Sequence, residues 1–207
     1  MIRTIIFDMG EVLIHFDREL FIRRLTDSEE DVRLLMRQVF LSLEWGRLDR
    51  GSMTEQEAAD SICRRVPERL HDIVYKLVCM WDRPILPVDG MQALIAELKQ
   101  KGYRLLLLSN ASVRQHEYWP RVPGNELFDG TLISADVKLV KPQFEIYRLL
   151  CEKFSVRPEE CFFVDDSLAN IEGAYCCGIR GAVFHNDIDE LRGIMRSAGI
   201  DVAPGKG

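Results

Sequence analysis

Four short segments limit what this chain can fold into more than any other feature. Thr4–Phe7, Tyr103–Leu108, Cys161–Val164 and Arg180–Phe184 are apolar almost throughout, not at every second residue. A strand with one wet face alternates, whereas a strand covered on both faces reads as a continuous apolar run, the pattern of parallel sheets buried under helices. A weaker extended stretch, Gly130–Ser134, can add a further strand. Helical patterns lie between them: Met91–Lys101 stopped by Gly102, Gln143–Phe154 opened by Pro142, Leu168–Cys177 stopped by Gly178, and Asp187–Ala198. This alternation predicts an α/β fold, a doubly wound parallel sheet that binds ligands at the carboxyl ends of its strands.

Residues 18–84 break the alternation. They hold no convincing strand, and their apolar residues recur at helical spacing: Val32, Leu35, Met36, Val39 and Phe40, then Ala58, Ile62 and Val66, then Leu70, Val74 and Leu77. The expected organisation is an α/β core of residues 1–17 and 85–207 with an α-helical insertion at 18–84, the segment Arg83–Pro87 leading back to the core. Glu44–Gly51, which carries a tryptophan among alternating charges, interrupts the periodicity and reads as a loop or turn. The tail Ala203–Gly207 reads as frayed.

Composition excludes several classes. At 207 residues the chain can bury a core plus a small inserted module, and no apolar run approaches the roughly 20 residues of a membrane span. Its N-terminus lacks the apolar stretch and cleavage site of a secretory signal, so a cytoplasmic protein without membrane partners is expected. A net charge of −6 with no concentrated basic face argues against nucleic acid. The six cysteines are scattered through apolar segments without Cys-x-x-Cys spacing, which predicts reduced thiols and no zinc. A monomer or weak homodimer is expected.

Three strand ends deliver polar residues to one crevice: Asp8 after the first strand, Ser109 and Asn110 after the second, Asp165 and Asp166 after Cys161–Val164. Taken singly, each is a turn former or helix cap. Taken together with Lys141-Pro142 they are a constellation. The ordered set Phe7-Asp8-Met9-Gly10-Glu11-Val12-Leu13, Leu108-Ser109-Asn110, Lys141-Pro142 and Asp165-Asp166-Ser-Leu-Ala-Asn170 resembles the haloacid dehalogenase-like (HAD) hydrolase superfamily over essentially the whole chain, and the insertion resembles its α-helical cap. Within it, the likeness is to bacterial phosphatases of α-glucose 1-phosphate, which also carry Gly two places after the nucleophile.

The resemblance implies a phosphatase for a small phosphorylated metabolite, such as glucose 1-phosphate, that works through an aspartyl-phosphate on Asp8. It implies Mg²⁺ held by Asp8, the Gly10 carbonyl and Asp166, since Mg²⁺ takes oxygen ligands and keeps several waters. Asp165 is expected one step back, on a metal-bound water or on Lys141. Lys141 is expected to neutralise Asp8 and the phosphate, with Ser109 and the Asn110 amide bonding phosphate oxygens. Asn170 either fixes the metal loop or faces solvent.

Most phosphatases of this family have a second Asp where this chain has Gly10, and that Asp protonates the leaving alcohol, a contribution of about 10²–10⁴-fold. Its loss favours acidic leaving groups such as an anomeric hydroxyl. Glu11 and His15 are the nearest substitutes. Two alternatives remain: a metal-independent 2-haloacid dehalogenase, against which the pair Asp165-Asp166 argues because carboxylates beside Asp8 repel without a cation, and a non-enzymatic phosphate-binding relative. In the insertion, Trp45 either packs into the bundle or faces the substrate, with Arg50 or Asp49 reading hydroxyls. Tyr118-Trp119 is a second aromatic candidate for the rim.

Overall fold

The computed structural model describes residues 1–205. Its sheet has five parallel strands, β1 (Thr4–Phe7), β2 (Arg104–Ser109), β3 (Gly130–Ile133), β4 (Cys161–Asp165) and β5 (Arg180–Val183), in the order β3-β2-β1-β4-β5. The apolar runs earn no wet face. Ile5, Phe7, Leu105, Leu107, Phe162 and Val164 enter one core cluster, and Ile6, Leu106, Leu108, Cys161 and Phe163 enter another on the opposite face. Period-two geometry sorts a continuous run into two apolar faces in this way. Helices cover both faces.

Directly after β1 come five helices, α1 (Arg18–Arg23), α2 (Glu29–Leu35), α3 (Leu43–Asp49), α4 (Glu55–Cys63) and α5 (His71–Cys79), with a wide π-turn at Met36–Phe40. They are the inserted cap. Their apolar side chains, Phe21 to Val78, close on each other as a separate cluster. The core continues with α6 (Met91–Gln100), short α7 (Gln115–Tyr118) and α8 (Ser134–Val137), α9 (Phe144–Phe154), α10 (Leu168–Tyr175) and α11 (Ile188–Ser197). Trp81, two residues past the end of α5, packs against both the cap cluster and the core cluster.

Glu44–Gly51 is not a loop. Most of it is α3, begun by Ser42, whose hydroxyl accepts from Trp45 N at 3.3 Å. Its inward residues include Glu44, a charge at a position where a periodicity test expects carbon. Arg65 satisfies that carboxylate with two bonds of 2.7 and 2.9 Å, and Ser61 Oγ adds a third at 2.8 Å. The expected frayed tail is tied down in part, because Val202 is buried and Ala203 N donates to Glu97 Oε1 at 2.6 Å. The rest of that expectation, Lys206 and Gly207, lies outside the described residues. α9 opens at Phe144, not at Gln143, because Gln143 accepts from Val140 N to close the preceding turn.

Candidate active site

Register fixes the site. β1 is the central strand, with Phe7 level with Leu107 on one side and Val164 on the other. The next residue of each strand is therefore Asp8, Leu108 and Asp165; the two carboxylates meet at the carboxyl edge, and Leu108 contributes its backbone carbonyl while its side chain stays in the core. Asp8 is anchored by its own backbone, Asp8 N donating to Val164 O at 2.8 Å. Carboxylate oxygens of Asp8, Asp165 and Asp166 come within 4.8 Å of one another.

Lys141 enters from the loop before α9. Its ammonium, 1% exposed, lies 2.6 Å from Asp165 Oδ2, 3.0 Å from Leu108 O and 2.8 Å from Asp8 Oδ1. The contact with Asp8 is an ion pair without hydrogen-bond alignment, so Asp8 Oδ1 is buried with no directed donor. Asp165 is saturated: besides Lys141 it accepts from Ser167 N at 2.8 Å and from Asn170 Nδ2 at 2.9 and 3.1 Å. Asn170 thus faces inward and grips Asp165. The Asn110 side chain is spent on Lys141, donating to its carbonyl at 3.0 Å and accepting from its N–H at 2.8 Å. It sets the lysine, and only its backbone amide is left to face a ligand. Ser109 is buried at the end of β2.

Burial pushes the Asp8 carboxyl up to about 7; Lys141 opposes this and Asp165 adds to it. Burial also works against the charge on Lys141, but Asp8 and Asp165 outweigh it and hold the ammonium above its ordinary range. Asp166 counts as exposed because it faces open crevice, yet the surrounding walls and Asp165 still raise it. The site holds more negative charge than Lys141 alone offsets.

These residues form one end of a cavity of about 830 Å³ beneath the cap. Asp8, Gly10, Glu11, Ser109, Asn110 and Asp166 line the core end, while Phe16, Leu20, Met36, Trp45, Leu48 and Trp81 form an apolar roof. Trp45 does both things considered for it, packing on Phe40 with centroids 4.8 Å apart while lining the cavity. Tyr118 lines the cavity, whereas Trp119 packs on Phe128. Arg50 points away, its guanidinium 3.5 Å from Lys138 O, while its neighbour Asp49 lines the cavity. Residue pattern alone did not single out Phe16, Arg18, Met36 or Trp81. The available signal was topological: both connections of an insertion must pass over the strand end from which it springs.

A buried carboxylate at the tip of a central parallel strand, with an ammonium and two further carboxylates beside it and a helical lid above, defines a capped, aspartate-centred hydrolase built on a Rossmann-like core. The family model for haloacid dehalogenase-like hydrolases matches residues 2–178, and the chain belongs to that family. Drimenol cyclase drtB of Aspergillus calidoustus is 29% identical over 197 residues, 93% of this chain, which spans only 35% of drtB. Glyceraldehyde 3-phosphate phosphatase of Methanothermobacter thermautotrophicus is 23% identical over 98% of this chain and 94% of its own length. Sesquiterpene phosphatase astK of Aspergillus oryzae is 24% identical over 86% of this chain and 88% of its own. Among solved structures, the HAD family enzyme bt-2542 from Bacteroides thetaiotaomicron, in complex with magnesium and inorganic phosphate, superposes with a TM-score of 0.69 at 20% identity, covering 92% of this chain and 99% of that one. At that identity the likeness speaks for the fold.

Proposed function

We propose that the chain is a magnesium-dependent phosphomonoester hydrolase in which Asp8 takes the phosphoryl group and water then removes it. The observation that carries this reading is the cluster of Asp8, Lys141, Asp165 and Asp166 beside Ser109 at the closed end of the cavity. Phosphoryl transfer asks for an in-line nucleophile and compensation of charge on the transferring oxygens. Asp8 is the nucleophile. Lys141 neutralises attacking carboxylate and phosphate together, and Asp165 holds it there. The Ser109 hydroxyl and Asn110 backbone amide donate to phosphate oxygens.

The residues fit Mg²⁺. Asp8 has a buried oxygen without a directed donor, Asp166 is carboxylate-rich in its surroundings and faces the crevice, and all available donors are hard oxygens. Asp8, the Gly10 carbonyl and Asp166 would hold the ion, with Asp165 set back because its oxygens are taken. When bound, it supplies positive charge that keeps Asp8 ionised and offsets charge on the phosphoryl oxygens. The same surplus of carboxylates disfavours a metal-independent dehalogenase.

The leaving alcohol sits under the roof. A hexose wants a hydrogen-bond partner for each hydroxyl; the cap side offers polar groups at Asp17, Arg18, Glu19 and Asp49, but Phe16, Leu20, Met36, Trp45, Leu48 and Trp81 offer carbon over the greater part of the roof. The geometry therefore favours the phosphate of an alcohol with an apolar body, which accords with the relative named as a sesquiterpene phosphatase. Glucose 1-phosphate is the second reading, favoured by Gly10. The test is phosphate release from farnesyl phosphate, glyceraldehyde 3-phosphate and glucose 1-phosphate, with Mg²⁺ or EDTA. Activity should need Mg²⁺, vanish in Asp8→Asn, and favour the apolar ester at least 10-fold in kcat/KM. Near-normal turnover by Asp8→Asn would sink the mechanism, and a preference for glucose 1-phosphate would sink the substrate class.

A further inference from the structure

Gly10 supplies no proton donor to the leaving oxygen, and the nearest substitutes on the core side are engaged with their own loop, Glu11 accepting from Phe16 N at 2.6 Å and pairing with His15 at 3.7 Å. Packing does not compel the glycine, since an added Cβ there meets only Phe16 Cβ, at 3.7 Å. The cap brings a carboxyl to the same space. Asp49 ends α3 and lines the cavity together with Asp8, Ser109 and Asn110. Its side chain has no hydrogen bond or ion pair among the described residues, so it is free to meet a ligand.

Its backbone is held to the phosphate end through one hydroxyl. Ser134 Oγ donates to Asp49 O at 2.5 Å and accepts from Ala111 N at 2.9 Å. Ala111 follows Ser109 and Asn110 directly, so one serine ties the cap residue to the loop that flanks the phosphoryl site. Two residues on, Gly51 lies so close to α8 that a Cβ would stand 2.3 Å from Ala135 O, and Lys138 Nζ donates to Gly51 O. The α3–α4 turn is thus docked on the core by contacts that position Asp49.

We propose that the Asp49 carboxyl is the proton donor to the leaving alcohol, the role that the glycine at position 10 cannot fill. The inference rests on the phosphatase reading. As the Asp8 oxygen bonds to phosphorus and the ester P–O bond breaks, the Asp49 proton passes to the departing oxygen and gives a neutral alcohol. The resulting Asp49 carboxylate then takes a proton from the attacking water. The new P–O bond forms, the Asp8–P bond breaks, and inorganic phosphate leaves with both carboxyls restored. A donor in the cap also couples chemistry to cap docking, since the acid is in place only when the lid is down.

The protonation state suits the task. The enclosing walls push the Asp49 carboxyl up to about 7; Arg18 and Lys141 pull it down and Asp8 pushes it up. Tyr118 also faces it, its phenol raised by burial and by the Asp49 charge. With this donor the ester need not have an acidic leaving group, which suits ordinary alcohols better than the bare glycine suggests.

The experiment is a leaving-group series, from ethyl and phenyl to 2,4-dinitrophenyl phosphate, with Mg²⁺-loaded wild-type protein, Asp49→Asn, Asp49→Glu and Asp8→Asn. Asp49→Asn should lose about 10²–10³-fold in kcat/KM on the alkyl ester and at least 30-fold less than that on the dinitrophenyl ester, whose leaving group needs no proton. Asp49→Glu should regain part of the alkyl activity. Equal losses across the series, or no recovery in Asp49→Glu when both variants melt like the wild type, would overturn the role of Asp49 while leaving the phosphatase reading standing. Persisting activity in Asp8→Asn, or no phosphate release by wild type from any ester, would instead bring down the phosphatase reading, and this proposal with it.

Discussion

Replacing Lys141 with methionine should unfold the protein far more readily at neutral pH while hardly changing core volume. The ammonium is 1% exposed and lies 2.6 Å from one buried carboxylate and 2.8 Å from another. At an effective dielectric constant of about 20, each pair is worth roughly 6 kcal/mol of direct attraction, much of it cancelled by desolvation. Removing one partner of such a set leaves uncompensated buried charge and costs about 3–5 kcal/mol; it also strips the donor from Leu108 O. For a chain of this size, at about 2–4 °C per kcal/mol, Tm should fall by about 6–20 °C. The assay is thermal and urea unfolding in EDTA, at pH 7 and pH 5. Without the cation, the Asp8 carboxyl, already raised to about 7 by burial, loses the charge that opposes the rise. The folded state is then penalised at high pH and relieved as acid protonates Asp8, so the loss should shrink at pH 5. A loss under about 1 kcal/mol, or one that grows on acidification, would refute the view that Lys141 holds the two carboxylates together.

Other perturbations separate the site from its supports. Asp166→Ala should raise the Mg²⁺ concentration needed for activity with little change in Tm, whereas Asp165→Ala, which frees Lys141, Asn170 and Ser167 at once, should lower Tm by several degrees; the reverse pattern would exchange their roles. Glu44 is held down to about 2 by its bonds to Arg65. Because its folded value lies below the unfolded one, its contribution is present above pH 4.5 and lost as pH falls toward 2. Glu44→Gln should therefore cost about 1–2 kcal/mol at pH 7 and almost nothing near pH 2.5, and a pH-independent difference would count against the pair. Gly51→Ala must place a Cβ against Ala135 O at φ +63°, and should cost at least about 1–2 kcal/mol and slow phosphate release; an unaltered Tm would mean the cap does not dock this closely.

The α/β core was legible because its signal is local. Continuous apolar runs and glycine stops mark a two-sided sheet residue by residue, and β1, β3 and the start of β4 lie where the runs placed them. Asp8, Lys141, Asp165 and Asp166 could be grouped because each sits at the end of such a run or in a short loop between runs. α3 escapes a periodicity argument because its inward Glu44 is neutralised by Arg65, twenty-one residues away, and periodicity sees charge but not its partner. Arg50 and Asp49 could not be told apart, since which of two neighbours turns into a cavity depends on the docking of Gly51 against Ala135. The roof was hidden for the same reason: Phe16, Met36 and Trp81 are ordinary core residues until two units close on each other.

Trp81 is the residue on which both apolar clusters close, with ring centroids 4.7 Å from Phe16 and 5.1 Å from Tyr118. Its indole is therefore a built-in fluorophore at the seam. Trp45 lies in the cap, against Phe40, and Trp119 in the core, against Phe128. Emission from the three indoles divides by location: lifting the lid would wet Trp81 and shift its spectrum to the red while leaving that of Trp119 in place. With Trp45 and Trp119 replaced by phenylalanine, lid motion becomes observable in a stopped-flow fluorimeter without any attached dye.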